Sequence, residues 1–163
     1  MGEGVERGAI DLAALLTREH EEIDEGIERY LASVRAMAPD VAPLQDAMVA
    51  LRRHIYLEET FVFPGLASGP LGIPIQVMMR EHGAIWRSMD VLAERLAAHA
   101  SPDSLTDDCR ELLSLLESHN AKEEPVIYPR AEPALDGATL AELGEFVAAG
   151  RMPEGWVCRT AVL

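Results

Sequence analysis

The sequence predicts an all-α fold: an antiparallel up-down-up-down four-helix bundle with a short C-terminal fifth helix and tail. Four segments carry apolar residues at intervals of three or four, which is the spacing of one face of an α-helix. Proline and glycine separate these segments. Aromatic residues make up only 5% of the 163-residue chain, in which alanine and leucine are frequent, and this composition favours helix.

The four predicted helices follow one another at short intervals. Their limits are Ile10 to Met37, Pro43 to Val62, Pro74 to His99 and Pro102 to Glu124. Ser101 before Pro102 is typical of an N-cap followed by proline in the first helical turn. Pro125 and Pro129 are expected to end the fourth helix. Because short loops join long helices, neighbouring helices are expected to be antiparallel.

The segment after the fourth helix differs from the bundle. Thr139 followed by Glu142 is typical of a capping box, which predicts a short fifth helix that ends near Ala149. An apolar tail follows it. We therefore expect residues 1–130 to form the bundle and residues 131–163 to form a short helix and a tail packed on it.

The chain is strongly acidic, with a formal net charge of −14. This charge argues against nucleic acid or an anionic membrane surface as a partner, since both require basic residues. The N-terminus has no apolar signal core, and no apolar run approaches the ~18 residues of a membrane span. Of the two cysteines, Cys109 is expected in the core and Cys158 as an ordinary tail residue. We expect a cytoplasmic protein.

An internal repeat carries the residues that bear on chemistry. The pattern Arg-Glu-His-x-x-Ile occurs at residues 18–23 and again at 80–85. The pattern His-x-x-x-Glu-Glu, with an aromatic residue and proline shortly after it, occurs at 54–64 and again at 119–129. The chain therefore consists of two similar helical hairpins, each with one lone histidine and one His-x-x-x-Glu pair.

Six polar residues of the repeat fall on the apolar stripes of the predicted helices. They are His20, His54, Glu58, His82, His119 and Glu123. Burying an ionised carboxylate in an apolar core costs several kcal/mol, even after relaxation. Bound metal ions compensate for this cost, and imidazole together with carboxylate suits iron, manganese or zinc. The i,i+4 spacing places each His-Glu pair on one helix face, so the sequence predicts a two-metal centre.

The number of protein ligands favours a reactive site. If both glutamates bridge and each metal takes two histidines, six-coordinate iron keeps about two positions for oxo, hydroxo, water or a substrate. The fifth histidine, His99, lies about 25 Å further along the third helix and is excluded. Glu59 and Glu124 are predicted to be solvated or to contact the ligands. Glu19 and Glu81 are predicted to be surface charges.

This pattern resembles the hemerythrin-like, HHE cation-binding domain family over about residues 10–130. The resemblance implies a four-helix bundle with an oxo- or hydroxo-bridged, non-haem di-iron centre, in which Glu58 and Glu123 bridge and the histidines are terminal ligands. Trp86 stands where oxygen-carrying hemerythrins have a further histidine, and Glu123 lies four residues after His119 where they have Asp five residues on. The ligand set is more similar to bacterial iron-centre repair and nitrosative-stress proteins.

These observations lead to one main functional hypothesis and two alternatives. The main hypothesis is a di-iron protein that binds or reacts with a small oxidant (O2, peroxide or nitric oxide) in oxidative or nitrosative stress or in iron handling. Manganese and zinc are substitutes for iron. The first alternative is a non-catalytic sensor or reversible binder of oxygen or iron. The second is a helical interaction module whose histidines and glutamates form a metal-free network.

Overall fold

The computed structural model describes residues 10–162. The expectation about an N-terminal signal segment lies outside this range. The helices are α1 (Leu12–Arg35), α2 (Ala42–Leu57), a π-helical turn (Glu58–Val62), α3 (Phe63–Leu66), α4 (Gly72–Ala97), α5 (Pro102–Val126), α6 (Tyr128–Ala134) and α7 (Gly137–Ala149). The all-α prediction is confirmed. Among residues 10–162, none of the helices combines the length and hydropathy that a membrane crossing needs.

The four long helices α1, α2, α4 and α5 form an antiparallel bundle. On α1 and α2, His20 faces His54 while Gly26 packs closely against Ala47, so residue numbers rise along one helix as they fall along the other. Helices α4 and α5 are also antiparallel, because Arg95 pairs with Asp108 while His82 lies against His119. The bundle closes where α1 packs against α5 and α2 against α4.

Local sequence explains where the long helices begin. The side chains of Asp11 and Ser101 accept hydrogen bonds from backbone N–H groups three residues further on, at 3.1 and 3.3 Å, and so cap α1 and α5. Helix α4 begins at Gly72, two residues before the predicted start. Pro74 is tolerated there because the first-turn amides of a helix have no intrahelical partner.

The second predicted helix changes its geometry before it ends. It is α-helical to Leu57 and then widens into the π turn, in which the backbone N–H of Phe63 donates to the carbonyl oxygen of Glu58. Pro64 follows at once and has no amide hydrogen with which to continue the ladder. Helical structure then continues through α3 to Leu66, four residues past the predicted end at Val62, with Pro64 in the first turn of α3.

Two helix ends near the C-terminus differ from the prediction. Helix α5 continues one residue past Pro125, and Pro129 lies in the first turn of α6 where a break was expected. Helix α7 begins three residues earlier than the capping box predicts because the carboxylate of Asp136 accepts the backbone N–H of Thr139 at 2.7 Å. The predicted capping box is wrong, whereas the predicted end at Ala149 is confirmed.

Two apolar clusters fill the bundle, one on each side of the six polar residues of the repeat. The first cluster includes Tyr30, Leu51, Met89, Cys109 and Leu112. The second includes Leu16, Phe63, Met78, Ile127 and Tyr128. The polar residues therefore interrupt the apolar core at one level across all four long helices.

The C-terminal tail packs on α2 and α4. The Trp156 ring contacts the rings of Tyr56 and Trp86, with centroids 5.1 and 5.5 Å apart. Thr160 lies directly over Gly83, where an added Cβ would come within 2.5 Å of the threonine hydroxyl oxygen. The division of the chain at residue 130 stays a prediction.

Candidate metal centre

The six polar residues of the repeat lie at one level of the bundle. Each is buried, with 0 to 5% of its surface exposed. They come from different elements: His20 from α1, His54 from α2, Glu58 from the π turn, His82 from α4, and His119 and Glu123 from α5. We call them the six-residue cluster. The structure brings together all six side chains that the sequence singled out, and their role as metal ligands stays a prediction.

The i,i+4 spacing brings the histidine and the glutamate of each His-x-x-x-Glu pair into contact. His54 Nε2 lies 3.1 Å from Glu58 Oε1, and His119 Nε2 lies 3.2 Å from Glu123 Oε2. The π turn begins at Glu58, and wide turns of this kind occur often at functional sites. Both pairs point into the bundle, as the i,i+4 spacing indicates.

The donor atoms form two groups that share one carboxylate. The first group is His20, His54 and Glu123, and the second is Glu58, His82, His119 and Glu123; in each, the donor atoms lie within 4.8 Å of one another. Glu123 reaches both groups, with Oε1 at 3.2 Å from His20 Nε2 and Oε2 at 3.2 Å from His119 Nε2. This is the position that a bridging carboxylate occupies between two metal ions.

Glu58 lies between the same two groups. Its Oε1 atom is 3.1 Å from His54 Nε2 and 3.3 Å from His82 Nε2. These close contacts are not aligned as hydrogen bonds, and three buried atoms at the second group have no hydrogen-bond partner: Glu58 Oε1, His82 Nε2 and Glu123 Oε2. An unpaired buried polar atom costs about 1–3 kcal/mol. One cation among these three atoms would satisfy all of them, so the residues present fit a metal site.

Without a metal ion, protons balance the buried charge. Burial opposes protonation of His119, but the Glu123 carboxylate outweighs it and raises the pKa of His119 to about 10. Burial opposes protonation of His54 as well, and Glu58 overcomes it, so the pKa of His54 lies well above its usual value. Burial favours the neutral form of Glu58, yet His54 and His82 hold the pKa of Glu58 well below its usual value. The metal-free cluster therefore keeps its carboxylates ionised beside protonated imidazoles.

Each histidine of the cluster has a carboxylate on its Nδ1 side. The Nδ1-to-oxygen distances are 3.4 Å for His20 and Glu124, 3.2 Å for His54 and Glu19, 2.8 Å for His82 and Glu59, and 3.2 Å for His119 and Glu81. Such contacts orient the rings and leave Nε2 free for a metal. The prediction that Glu19 and Glu81 are surface charges is wrong: they are only 19% and 23% exposed and face histidines on the neighbouring helix.

Sequence reasoning missed Tyr128, the first residue of α6, which is 1% exposed. Its hydroxyl lies 2.7 Å from Glu123 Oε1 and 3.1 Å from Glu58 Oε2, to which it can donate. It is also 2.8 Å from His20 Nε2 and 3.3 Å from His54 Nε2. Burial and then the two carboxylates raise the pKa of Tyr128 well above its usual value. The aromatic-proline pair that ends each repeat was the signal that could have indicated it.

A small cavity borders the cluster. Its volume is about 10 Å³, and its lining comprises the four histidines of the cluster, Asp24, Asn120 and several isoleucine and leucine side chains. This is about the space of one water molecule. Asp24 Oδ1 and Asn120 Oδ1 are buried without a hydrogen-bond partner, and burial raises the pKa of Asp24. The cavity thus has room for one very small molecule and is bordered by two polar side chains besides the histidines.

The other candidate residues have different surroundings. His99 lies in the loop after α4, away from the cluster. Cys109 is a buried core residue, as predicted, and Trp86 is also part of the core. Cys158 is fully buried, its thiol donates to Glu59 Oε2 at 3.2 Å, and burial raises the pKa of the thiol to about 11, which does not favour a reactive thiol.

The fold and the site define a class of protein: an α-helical bundle whose buried histidines and glutamates fit a metal site. The family model of the hemerythrin HHE cation-binding domain matches residues 11–131 of the chain. The chain therefore belongs to this family, and the resemblance stated from its histidines and glutamates is confirmed.

The chain is similar to curated mycobacterial proteins that are described as uncharacterized. One is from Mycobacterium bovis and two are from strains of Mycobacterium tuberculosis. Each is 29% identical over 133 residues, which cover 74% of this chain and 51% of the relative. The chain thus spans about half the length of the curated relatives that it matches. No solved structure gives a significant match.

Proposed function

We propose that this chain holds two iron ions between the helices of the bundle. The four histidines of the cluster would be terminal ligands, two to each iron, and Glu58 and Glu123 would bridge. The observation that carries the proposal is the pair of donor groups joined through Glu123, each with its atoms within 4.8 Å of one another. Imidazole and carboxylate suit iron, with manganese or zinc as substitutes.

We further infer that the centre binds or reacts with a small oxidant: O2, peroxide or nitric oxide. Four protein ligands leave positions open on six-coordinate iron. The cavity beside the histidines has a volume of about 10 Å³, which matches a molecule of this size and excludes larger substrates. Iron would supply redox chemistry that no side chain of the cluster provides. Such a protein would serve in oxidative or nitrosative stress or in iron handling, in the cytoplasm.

Two polar residues would orient the small ligand. Asp24 and Asn120 border the cavity with unpaired buried oxygens. The repeat has Trp86 and Ile55 at the corresponding positions of the other hairpin. Apart from the histidines, the polar residues that line the cavity come from α1 and α5, while α2 and α4 contribute leucine and isoleucine.

Stopped-flow mixing of the anaerobic diferrous protein with each oxidant tests this proposal. We expect a rapid change of the visible spectrum with at least one of the three, and none with metal-free protein. Asn120→Ile, which copies the residue of the other hairpin, should slow the reaction or weaken the adduct without changing the iron content. A protein with two irons that reacts with none of the oxidants would contradict the oxidant proposal and leave the metal proposal standing.

The same experiment distinguishes an enzyme from a carrier or sensor. Multiple turnovers of peroxide or nitric oxide would define an enzyme. A stable adduct that dissociates when the ligand is removed would define a non-catalytic oxygen sensor or reversible binder. The open coordination positions and the small cavity support both outcomes.

A further inference from the structure

The two hairpins place different aromatic residues against the cluster. Phe63 stacks on His82, with ring centroids 5.3 Å apart, and Tyr128 lies against His20, with centroids 5.4 Å apart. These aromatic residues hold the same position in the repeat, and both are buried. Only Tyr128 brings a hydroxyl group, so the two sides of the centre differ chemically.

The distances from the Tyr128 hydroxyl oxygen to four donor atoms of the cluster are similar to the distances between ligands of one metal ion. It lies 2.8 Å from His20 Nε2 and 3.3 Å from His54 Nε2. It lies 2.7 Å from Glu123 Oε1 and 3.1 Å from Glu58 Oε2. Adjacent ligands of an octahedral ion with bonds of ~2.1 Å are about 3 Å apart. The phenol oxygen therefore stands where a further ligand of the same ion would stand.

The neighbouring donor atoms show the same spacing among themselves. His20 Nε2 is 3.1 Å from His54 Nε2 and 3.2 Å from Glu123 Oε1. The four buried oxygen and nitrogen atoms around the phenol would need several hydrogens to satisfy one another, and one O–H supplies a single proton. A cation shared by the phenol oxygen and the donor atoms of His20, His54 and Glu123 would satisfy these atoms together.

We propose that Tyr128 is a seventh protein ligand of the centre and binds the first metal alone, beside His20 and His54. This inference rests on the proposed two-metal centre. On binding, the O–H bond of Tyr128 is replaced by an oxygen–metal bond, and the proton passes to solvent. The second metal keeps His82 and His119 with the two carboxylates.

The assignment makes the two metals inequivalent. The apolar ring of Phe63 lies against His82, where Tyr128 lies against His20 on the other side. The second metal therefore has one protein ligand fewer and more open positions. A small oxidant would then bind on the side of His82 and His119.

The visible spectrum of the iron-loaded ferric protein tests the ligand role. A phenolate bound to ferric iron gives a charge-transfer band in the visible, and excitation in this band enhances the Raman vibrations of the bound tyrosine ring. Tyr128→Phe should abolish both signals. Tyr30→Phe is the matched control, because Tyr30 is equally buried and its hydroxyl has no hydrogen-bond partner. This control should keep both signals.

Iron content is measured on the same samples, so that each result has one meaning. Wild-type protein with two irons and no phenolate band would overturn the ligand role and leave the proposed function intact, as would a band that persists in Tyr128→Phe. Wild-type protein that binds no iron would overturn both. If Tyr128→Phe fails to retain iron, zinc titration of the wild type decides: the near-ultraviolet absorption of ionised tyrosine should grow as zinc binds, and its absence would overturn the proposal.

Discussion

The two helical hairpins supply the same ligands but surround them differently. Each contributes one lone histidine and one His-x-x-x-Glu pair, and each sends an aromatic residue onto the lone histidine of the other hairpin. The first hairpin places Asp24 by the cavity, and the second places Asn120 there; the equivalent positions hold Trp86 and Ile55. The shared residues fit the proposed pair of metals. The differences would make the two metal positions inequivalent.

The carboxylates that join the hairpins give the largest expected effect. Glu58→Ala or Glu123→Ala should lower the metal content from two ions per chain to one or none, because Glu123 belongs to both donor groups and Glu58 contacts a histidine of each. Metal analysis after desalting measures this. Glu22→Ala, on the exposed face of α1, is the matched control and should keep two ions. Two tightly bound ions in both cluster variants would contradict the bridging roles.

The carboxylates on the Nδ1 side of the histidines should matter unequally. Glu59 is 5% exposed, lies 2.8 Å from His82 Nδ1 and accepts the backbone N–H of Arg159 at 3.2 Å. Glu124 is 36% exposed and lies 3.4 Å from His20 Nδ1. Glu59→Ala should lower zinc affinity about 10–100-fold, as measured by competition with a chromophoric chelator. Glu124→Ala should lower it less, because water can replace the exposed carboxylate. Equal losses of zinc affinity in Glu59→Ala and Glu124→Ala would contradict this expected difference.

The tail packs on both hairpins, and a glycine on α4 permits its close approach to the second. Gly83 corresponds to Glu21 in the first hairpin. Gly83→Ala would place a Cβ within 2.9 Å of the carbonyl oxygen of Thr160 and should destabilise the metal-free protein by about 1–3 kcal/mol in thermal unfolding. Gly137→Ala is the control: its Cβ would meet no atom within 4 Å, so stability should stay the same or rise slightly. An unchanged Tm in Gly83→Ala would show that the tail does not pack as described.

The pH dependence of metal binding tests whether His119 is protonated in the metal-free protein. The pKa of His119 rises from 6.5 to about 10 in the metal-free fold, mainly because Glu123 outweighs burial. The stability contributed by this protonated pair is fully present below pH ~6.5 and is lost as the pH rises through about 10. A metal must displace the proton, so zinc affinity should rise ~tenfold per pH unit on account of His119 between about pH 6 and pH 8.

Calorimetric titration with zinc at several pH values measures this slope. His119→Ala should reduce the slope by about one proton. His99→Ala, which alters a histidine outside the cluster, should leave it unchanged. A slope that His119→Ala does not alter would contradict the assignment of the proton to this residue.

The sequence predicts the cluster because its residues conflict with their positions. A histidine or glutamate in an apolar stripe is costly, so each stands out from its neighbours. Tyr128 does not stand out, because tyrosine is compatible with an apolar core and its hydroxyl has no periodicity of its own. The same reasoning separates Glu58, which lies on a stripe, from Glu19, which lies beside one.

Contacts between helices are the part that the sequence does not predict. Glu19 and Glu81 reach histidines on adjacent helices, and this depends on how the helices are rotated against each other. The π turn at Glu58 spans five residues, too short a stretch to alter the apolar period visibly. The predicted N-cap of α7, Thr139, is wrong because aspartate and threonine are both common N-cap residues. Only the hydrogen bond from the Thr139 backbone N–H to the Asp136 carboxylate shows that Asp136 is the cap.

The metal content of the whole chain tests the central claim most directly. Protein purified from iron-supplemented cells should contain two iron ions per chain, as measured by elemental analysis against the protein concentration. Chelation should remove both irons and lower the thermal stability, because bound metal stabilises the folded state. One ion or none at saturating iron, with a Tm that chelation does not change, would contradict the account.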